Sequence, residues 1–261
     1  MQPLTTAFLA LYLAHLTTDF VFQSRRLVEG KRQGQVRAYV RHGAIHLGAA
    51  LLLLGFAAPA WLQNARSYAA LIGLVVVHLL IDRAKVWSDS VGMADSVSIF
   101  LLDQILHLAT VFGAALLIVG RPVAEWVTRM AGAQLEKETI LWVLVVYVGA
   151  IWGAGYLLRL LTKPLMQPSR SGHVEESDEL QNAGLYIGWL ERFVVLTALV
   201  LKSPATVGLI VAAKSIARYP EFKSLRFAEY FLIGTLLSIS LGILGGLVLL
   251  EVLYGSLQLA K

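Results

Sequence analysis

Five of the six histidines lie in apolar stretches, and each is four residues from another histidine or an aspartate. The pairs are His15/Asp19, His42/His46, His78/Asp82 and Asp103/His107. On an α-helix, residues four apart share a face and sit one turn from each other. Each stretch therefore offers two ligands pointing the same way. Imidazole and carboxylate together suit zinc, iron or manganese better than magnesium or calcium. Eight such ligands fit two ions better than one, by the logic of di-metal carboxylate bundles whose facing helices project Glu and His inward. A divalent pair of this kind lowers the pKa of a water for attack on a phosphoryl or acyl centre. The bland alternative is a buried hydrogen-bond network or proton relay without metal. An aspartate inside a membrane costs ~2.5–3.5 kcal/mol on the insertion scale, and a bound cation removes that cost at all three.

Polar neighbours extend the set. Gln23 is one turn beyond Asp19, Gln104 adjoins Asp103, and Lys85 is three residues past Asp82. Asp103, Lys85, Gln23 and Gln104 are the expected catalytic residues, with Lys85 also holding an anionic substrate group at the mouth of the site. Lys85 reads more readily as a snorkelling positive-inside lysine, and Arg83 as a topological charge. Farther along, Glu191, Arg192, Lys214 and Arg218 stand in apolar sequence, with Glu229 opening the last apolar run. They read either as an anion pocket for a head group or phosphate, or as ion pairs such as Glu191 with Lys214 or Arg218 that lock helices. Gly184 and Gly188 form a small-xxx-small face suited to close helix packing. His173 falls in a polar loop and reads as solvated. There is no Ser-His-Asp arrangement, no glycine-rich phosphate loop and no dinucleotide fingerprint. Nothing points to nucleic acid.

The elements that position these residues follow from composition. The chain has 261 residues, 57% of them hydrophobic and only 15% charged, with a mean hydropathy of +0.68. Soluble domains carry roughly 25% charged residues, so an ordinary soluble enzyme and a disordered chain are both excluded. The expectation is an all-α, polytopic membrane protein. A crossing needs ~20 apolar residues, and the candidate segments are 4–23, 38–58, 67–87, 97–119, 139–161, 183–202, 204–219 and 227–254. The seventh is short and carries Lys214 and Arg218, which sets the expectation at seven to eight spans. There are no cysteines, so disulfides and thiolate metal sites are excluded.

The connection 24–41 holds Arg25, Arg26, Lys31, Arg32, Arg37 and Arg41 against one acid, Glu29. The positive-inside rule makes it cytoplasmic and puts the N-terminus outside. No basic residue precedes the run from Leu4 to Phe22, which reads as a retained span rather than a cleaved signal. The four pairs then fall about 4–9 residues from the cytoplasmic ends, roughly 6–14 Å deep at 1.5 Å per residue. The expected organisation is a four-helix His/Asp bundle over 1–120, a surface helix on the outer face and a fifth span over 121–161, a polar cytoplasmic loop over 162–182, and charged membrane helices over 183–261. The bundle reads as a duplicated hairpin. His15-Leu-Thr-Thr-Asp19 recurs as His78-Leu-Leu-Ile-Asp82, and His42 to Gly55 is echoed by Asp103 to Gly120. Such a parallel repeat is related by an axis along the membrane normal.

The opening His15-x3-Asp19-Phe20-x2-Gln23 resembles that of an uncharacterised bacterial multi-pass membrane family, domain of unknown function 3307. Three later blocks, Ile187–Arg192, Ala213–Arg218 and Ala228–Thr235, are similar to blocks of its longer members. The resemblance covers most of the chain and implies a bacterial inner-membrane protein, but brings no activity with it. A more distant likeness is to bacterial membrane-bound metal-dependent hydrolases, which also carry His and Asp pairs on spans.

The functional expectation is an integral-membrane hydrolase with a dinuclear zinc, manganese or iron site near the cytoplasmic leaflet. Its substrate would be a phosphorylated or acylated amphiphile, and its surroundings the lipid bilayer. The alternative is a divalent-cation or proton-coupled transporter using the same His/Asp site. A di-iron lipid oxidoreductase and a sensor or scaffold with a structural metal are further readings. Oligomeric state is open.

Overall fold

The computed structural model describes residues 3–88, 96–120, 136–166, 178–223 and 225–255, and among them the regular structure is entirely helical. Helix α1 (Pro3–Leu16) runs on into a π-helical turn, Thr17–Val21. Next come α2 (Arg25–Arg32), α3 (Val36–Ala57), α4 (Ala65–Ser88) and α5 (Val97–Val119). Helix α6 (Glu136–Val148) passes through a second π turn, Gly149–Gly153, into α7 (Ala154–Thr162). The chain continues with α8 (Asp178–Val200), α9 (Ala205–Ala217) and α10 (Leu225–Tyr254). The expected surface helix on 120–138 and the polar loop with His173 lie largely outside the described residues.

Among the described residues, five helices are long and apolar enough to cross a membrane: Pro3–Val21, Val36–Ala57, Val97–Val119, Lys137–Leu165 and Phe227–Tyr254. Helices α4 and α8 have comparable length, 24 and 23 residues. They carry more charge, with Arg66, Asp82, Arg83 and Lys85 on α4 and Glu191 and Arg192 on α8. The seventh expected span is a helix of only 13 residues, short of the ~20 that a bilayer requires.

One feature of the connection 24–41 was not expected. Instead of a plain loop it contains α2, started by Ser24, whose hydroxyl accepts from the Leu27 N–H. This is an ordinary N-cap. The helix ends at Gly34, which takes φ +70°, a conformation glycine adopts without the Cβ penalty. Leu27, Gly30 and Lys31 are buried, while Arg25, Arg26 and Glu29 are exposed.

The chain divides into two compact units, Met1–Val145 and Val146–Lys261. In the first, α1 is apolar all round, the pattern of a helix enclosed by others. Its Leu4, Ala7, Leu11 and Ala14 join Ala50 and Leu54 of α3, Leu71 and Leu74 of α4, and Val111 and Ala115 of α5 in one core. The surrounding helices turn apolar side chains outward, among them Leu52, Ile72 and Ile105. That outward face suits lipid better than water. Thr6 donates to Glu138 at 2.6 Å, tying the start of α6 to α1. The apolar core occupies one half of the helices' length, and the His and Asp residues lie in the other.

In the second unit, α8 packs along α10 over a small-residue face. Added Cβ atoms at Gly242, Gly245 and Gly246 would meet Val195, Leu196 and Leu199 at 2.9, 2.9 and 2.4 Å. At Gly246 the Cβ of Leu199 is itself only 3.0 Å away, so rotamer change alone gives no relief. Gly246→Ala is therefore expected to destabilise this unit by ~1–3 kcal/mol, the usual cost of overpacking. Gly234→Ala, on the same helix with open space around it, is expected to be neutral or stabilising by up to ~1 kcal/mol. Thermal midpoints of the two variants in detergent check the contrast.

Candidate metal centre

Each of the four His/Asp-bearing helices presents its pair toward the others. On α1 the pair straddles the change into the π turn. There the widened register leaves carbonyls that two hydroxyls take up: Thr17 donates to Leu13 and Ala14 carbonyls at 2.8 and 3.0 Å, and Thr18 to Ala14 at 2.7 Å. Single π turns in α-helices are frequent at functional sites.

One group is Asp19, His42, His78 and Asp82, whose ligand atoms lie within 4.8 Å of one another. His42 Nε2 is 2.9 Å from His78 Nε2. It stands 3.3 Å from Asp19 Oδ1 and 3.2 Å from Asp82 Oδ2, and His78 Nε2 is 3.4 and 3.7 Å from the same two oxygens. Four donors arranged tetrahedrally at ~2.1 Å from a central ion stand about 3.4 Å apart. The observed separations bracket that edge.

Two further groups overlap this one. His15, Asp19, His78 and His107 form the second, and Asp82, Asp103 and His107 the third. The rings of His15 and His107 are stacked at 4.7 Å. His107 Nδ1 is 2.8 Å from the Asp103 carbonyl. Since a carbonyl only accepts, Nδ1 carries the proton and Nε2 holds the lone pair, the second-sphere arrangement common for metal-ligating histidine. Among the described residues, His107 Nε2 and Asp103 Oδ1 are buried without a hydrogen-bond partner. Each buried polar atom left so costs ~1–3 kcal/mol. The donor set therefore fits a divalent cation.

Seven of the eight expected ligands enter these groups. His46 does not. It is fully buried and its ring is 4.4 Å from that of His78, but among the described residues neither of its nitrogens has a hydrogen-bond partner. It sits one turn from His42 toward the apolar half.

The expected polar neighbours gather at the carboxylates. Lys85 donates to Asp103 Oδ2 at 2.8 Å, Gln104 to the same oxygen at 3.0 Å, and Gln23 to the Asp19 carbonyl at 3.3 Å. Sequence reasoning missed one residue, Lys31. Its ammonium is buried, donates to Asp82 Oδ2 at 2.7 Å and bonds Gln23 Oε1. It had the look of one more topological charge. The available signal was its helical spacing from Leu27, four residues earlier, on one face behind an N-cap serine.

The charged residues expected as a substrate pocket lie in the second unit. Lys214 donates to Glu191 Oε2 at 2.7 Å, one of the two pairings read for Glu191 from the sequence. Arg192 donates to the Ile151 carbonyl at 2.7 Å and to Ser238 Oγ at 3.3 Å. Ile151 belongs to the π turn Gly149–Gly153, and Gly155 leaves space for the guanidinium, since a Cβ there would stand 2.6 Å from Nη2. Arg218 is half-buried at the end of α9, and Glu229 is exposed. These contacts hold helices to one another.

Removing the carboxylate from Asp82 leaves the Lys31 ammonium buried without its counter-charge, and breaking such a pair costs up to ~3–5 kcal/mol. Asp82→Asn is expected to loosen α2, with amide hydrogen exchange over 25–32 accelerating at least about tenfold. Unchanged protection would mean that the pair does not hold α2 in place.

No curated protein and no solved structure matches this chain. Residues 7–133, the stretch that contains all four His/Asp pairs, match the family described as Protein of unknown function (DUF3307).

Proposed function

We propose that the first unit is a metal-dependent hydrolase embedded in a bacterial inner membrane, with its N-terminus outside and its metal layer toward the cytoplasmic leaflet. The observation that carries this reading is the Asp19/His42/His78/Asp82 group, whose ligand atoms converge within 4.8 Å of one another. The basic connection holding α2 supports the orientation. Two ions are proposed. One is held by that group. The other draws on Asp103 and His107, with Asp82 common to both sets. Zinc, manganese or iron suits these donors.

A divalent cation here would supply Lewis acidity and a water of lowered pKa. The chain's own residues do the rest. Asp103, held through Oδ2 by Lys85 and Gln104, keeps Oδ1 oriented toward the site. Gln23 fixes the backbone of Asp19. The enclosing apolar helices exclude bulk water, which strengthens every charge interaction inside. The substrate is a phosphorylated or acylated amphiphile entering from the leaflet.

Overlapping ligand groups also suit an ion moving between sites, which is the transport reading. The ammonium groups of Lys31 and Lys85 count against it. Each lies against a site carboxylate, and a path for cations would be obstructed by them, whereas an anionic substrate is attracted.

Mass spectrometry of protein purified in detergent is expected to find about two equivalents of metal per chain, in line with dinuclear precedent. His78→Ala removes a ligand common to two groups and is expected to lose metal, while His46→Ala retains it. Asp103→Asn is expected to lower turnover of a phosphorylated or acylated amphiphile by at least ~10-fold. Wild-type protein without metal, or steady metal flux in proteoliposomes, overturns the hydrolase reading.

A further inference from the structure

We propose that α2 is a metal-responsive strap. Lys31 holds it against the His/Asp layer as a built-in cation, and a divalent ion taken up at Asp82 displaces the ammonium and releases the helix. This inference rests on the reading of the layer as a metal site and adds a conformational step to the loading of that site.

The position of the Lys31 ammonium leads to it. It lies 2.7 Å from Asp82 Oδ2. The same oxygen is 3.2 Å from His42 Nε2 and 3.7 Å from His78 Nε2. These three residues belong, with Asp19, to one metal-holding group. The ammonium thus occupies the oxygen that faces both imidazoles, and an ion drawing on those donors competes with it for that oxygen. Two positive charges held so close in a buried site repel strongly. The charge of the whole layer points the same way. Asp19, Asp82 and Asp103 are three carboxylates, and Lys31 and Lys85 two ammonium groups. With neutral histidines, as metal ligation requires, the layer carries one negative charge. A divalent ion turns that into one positive charge, and withdrawal of one lysine returns it to neutrality.

The two lysines are not equivalent. Lys85 bonds Asp103, which is outside that group, and its side chain is 29% exposed against 6% for Lys31. Lys85 reaches solvent by rotation about its own bonds, whereas the enclosed Lys31 leaves with its helix. That helix is fitted to move as a unit. Its eight residues are joined to the neighbouring helices by the non-helical stretches 22–24 and 33–35, and the second contains Gly34 at φ +70°. Leu27, Gly30 and Lys31 are its buried residues. Gly30 lets α2 lie close to α3, since a Cβ there would stand 2.9 Å from that of Ala38. The Lys31 carbonyl accepts from the Tyr39 hydroxyl at 3.2 Å. Beyond these contacts, α2 is tied down through the Lys31 ammonium, on Asp82 and on Gln23 Oε1. Helices shorter than ~12–15 residues are marginal in water on their own, so loss of that tie loosens the whole element. The same movement uncovers Asp82, which Lys31 covers in the closed position.

The test uses the full chain in dodecylmaltoside, stripped of metal and then loaded with zinc, with metal content measured on every sample. Zinc is expected to accelerate amide hydrogen exchange over 25–32 at least about tenfold, while exchange over 97–119 stays the same or slows. Lys31→Gln is expected to bind zinc at least about tenfold more tightly than wild type, because one buried repulsion is gone. Lys31→Arg, which keeps the charge, is expected to bind zinc as wild type does. The chain has no cysteine, so a nitroxide on Arg26→Cys, an exposed position of α2, reports on the strap alone. Its spectrum is expected to sharpen on zinc loading, and it keeps the test decisive if Lys31→Gln misfolds. Zinc uptake that leaves 25–32 equally or better protected overturns the proposal, as does an immobile label. Weaker zinc binding by Lys31→Gln overturns it too and makes Lys31 a strut of the metal site. Wild-type protein that takes up no zinc overturns the metal reading itself, through a measurement separate from the exchange rates.

Discussion

Three carboxylates stand on helices whose other residues are mostly apolar, and most of the first unit can be understood as the response to that fact. A carboxylate in lipid must find a counter-charge, neutralise itself, or hold the helix out of the membrane. Here each finds partners. Asp19 lies among histidines, Asp82 meets Lys31 and two imidazoles, and Asp103 meets Lys85, Gln104 and His107. The helices come together with their pairs facing one another because any other rotation would bury the same groups alone. The apolar core from Leu4 to Ile118 fills the remaining length and holds the layer in register.

Much of this was legible in the sequence. Spacing of four residues is enough to put two donors on one helix face, and four such pairs in apolar runs leave few arrangements other than convergence. The lysine and glutamine beside the site could be read in the same way, since Lys85, Gln23 and Gln104 are all within one turn of a site carboxylate. The all-helical, membrane-length character followed from composition. What the pattern could not distinguish was depth at the scale of one turn. His42 and His46 look alike in the sequence, but only His42 is level with the carboxylates of α1 and α4.

Other features left almost no trace. A basic residue near a membrane surface is expected for topology alone, so a buried, bonded Lys31 is masked by its neighbours Arg25, Arg26 and Arg32. The partner of Arg192 is a backbone carbonyl released by a π turn, and neither backbone carbonyls nor π turns have a residue signature strong enough to read. The separation of α4 and α8 from the five more apolar helices has a physical reason. Helices that carry buried charge for other helices to neutralise are by necessity less hydrophobic themselves.

The enclosure of α1 has a consequence for how the protein is made. Most of α1 is covered by segments that follow it in the chain, with α3 and α5 packed directly against it. Its Asp19 and His15 must therefore wait in the membrane, or at the insertion machinery, until Ala65–Ser88 and Val97–Val119 arrive with their imidazoles and carboxylates. The polar layer is thus a late event of biogenesis. A chain interrupted before α5 would expose an aspartate and a histidine to lipid, a state that membrane quality control is suited to recognise.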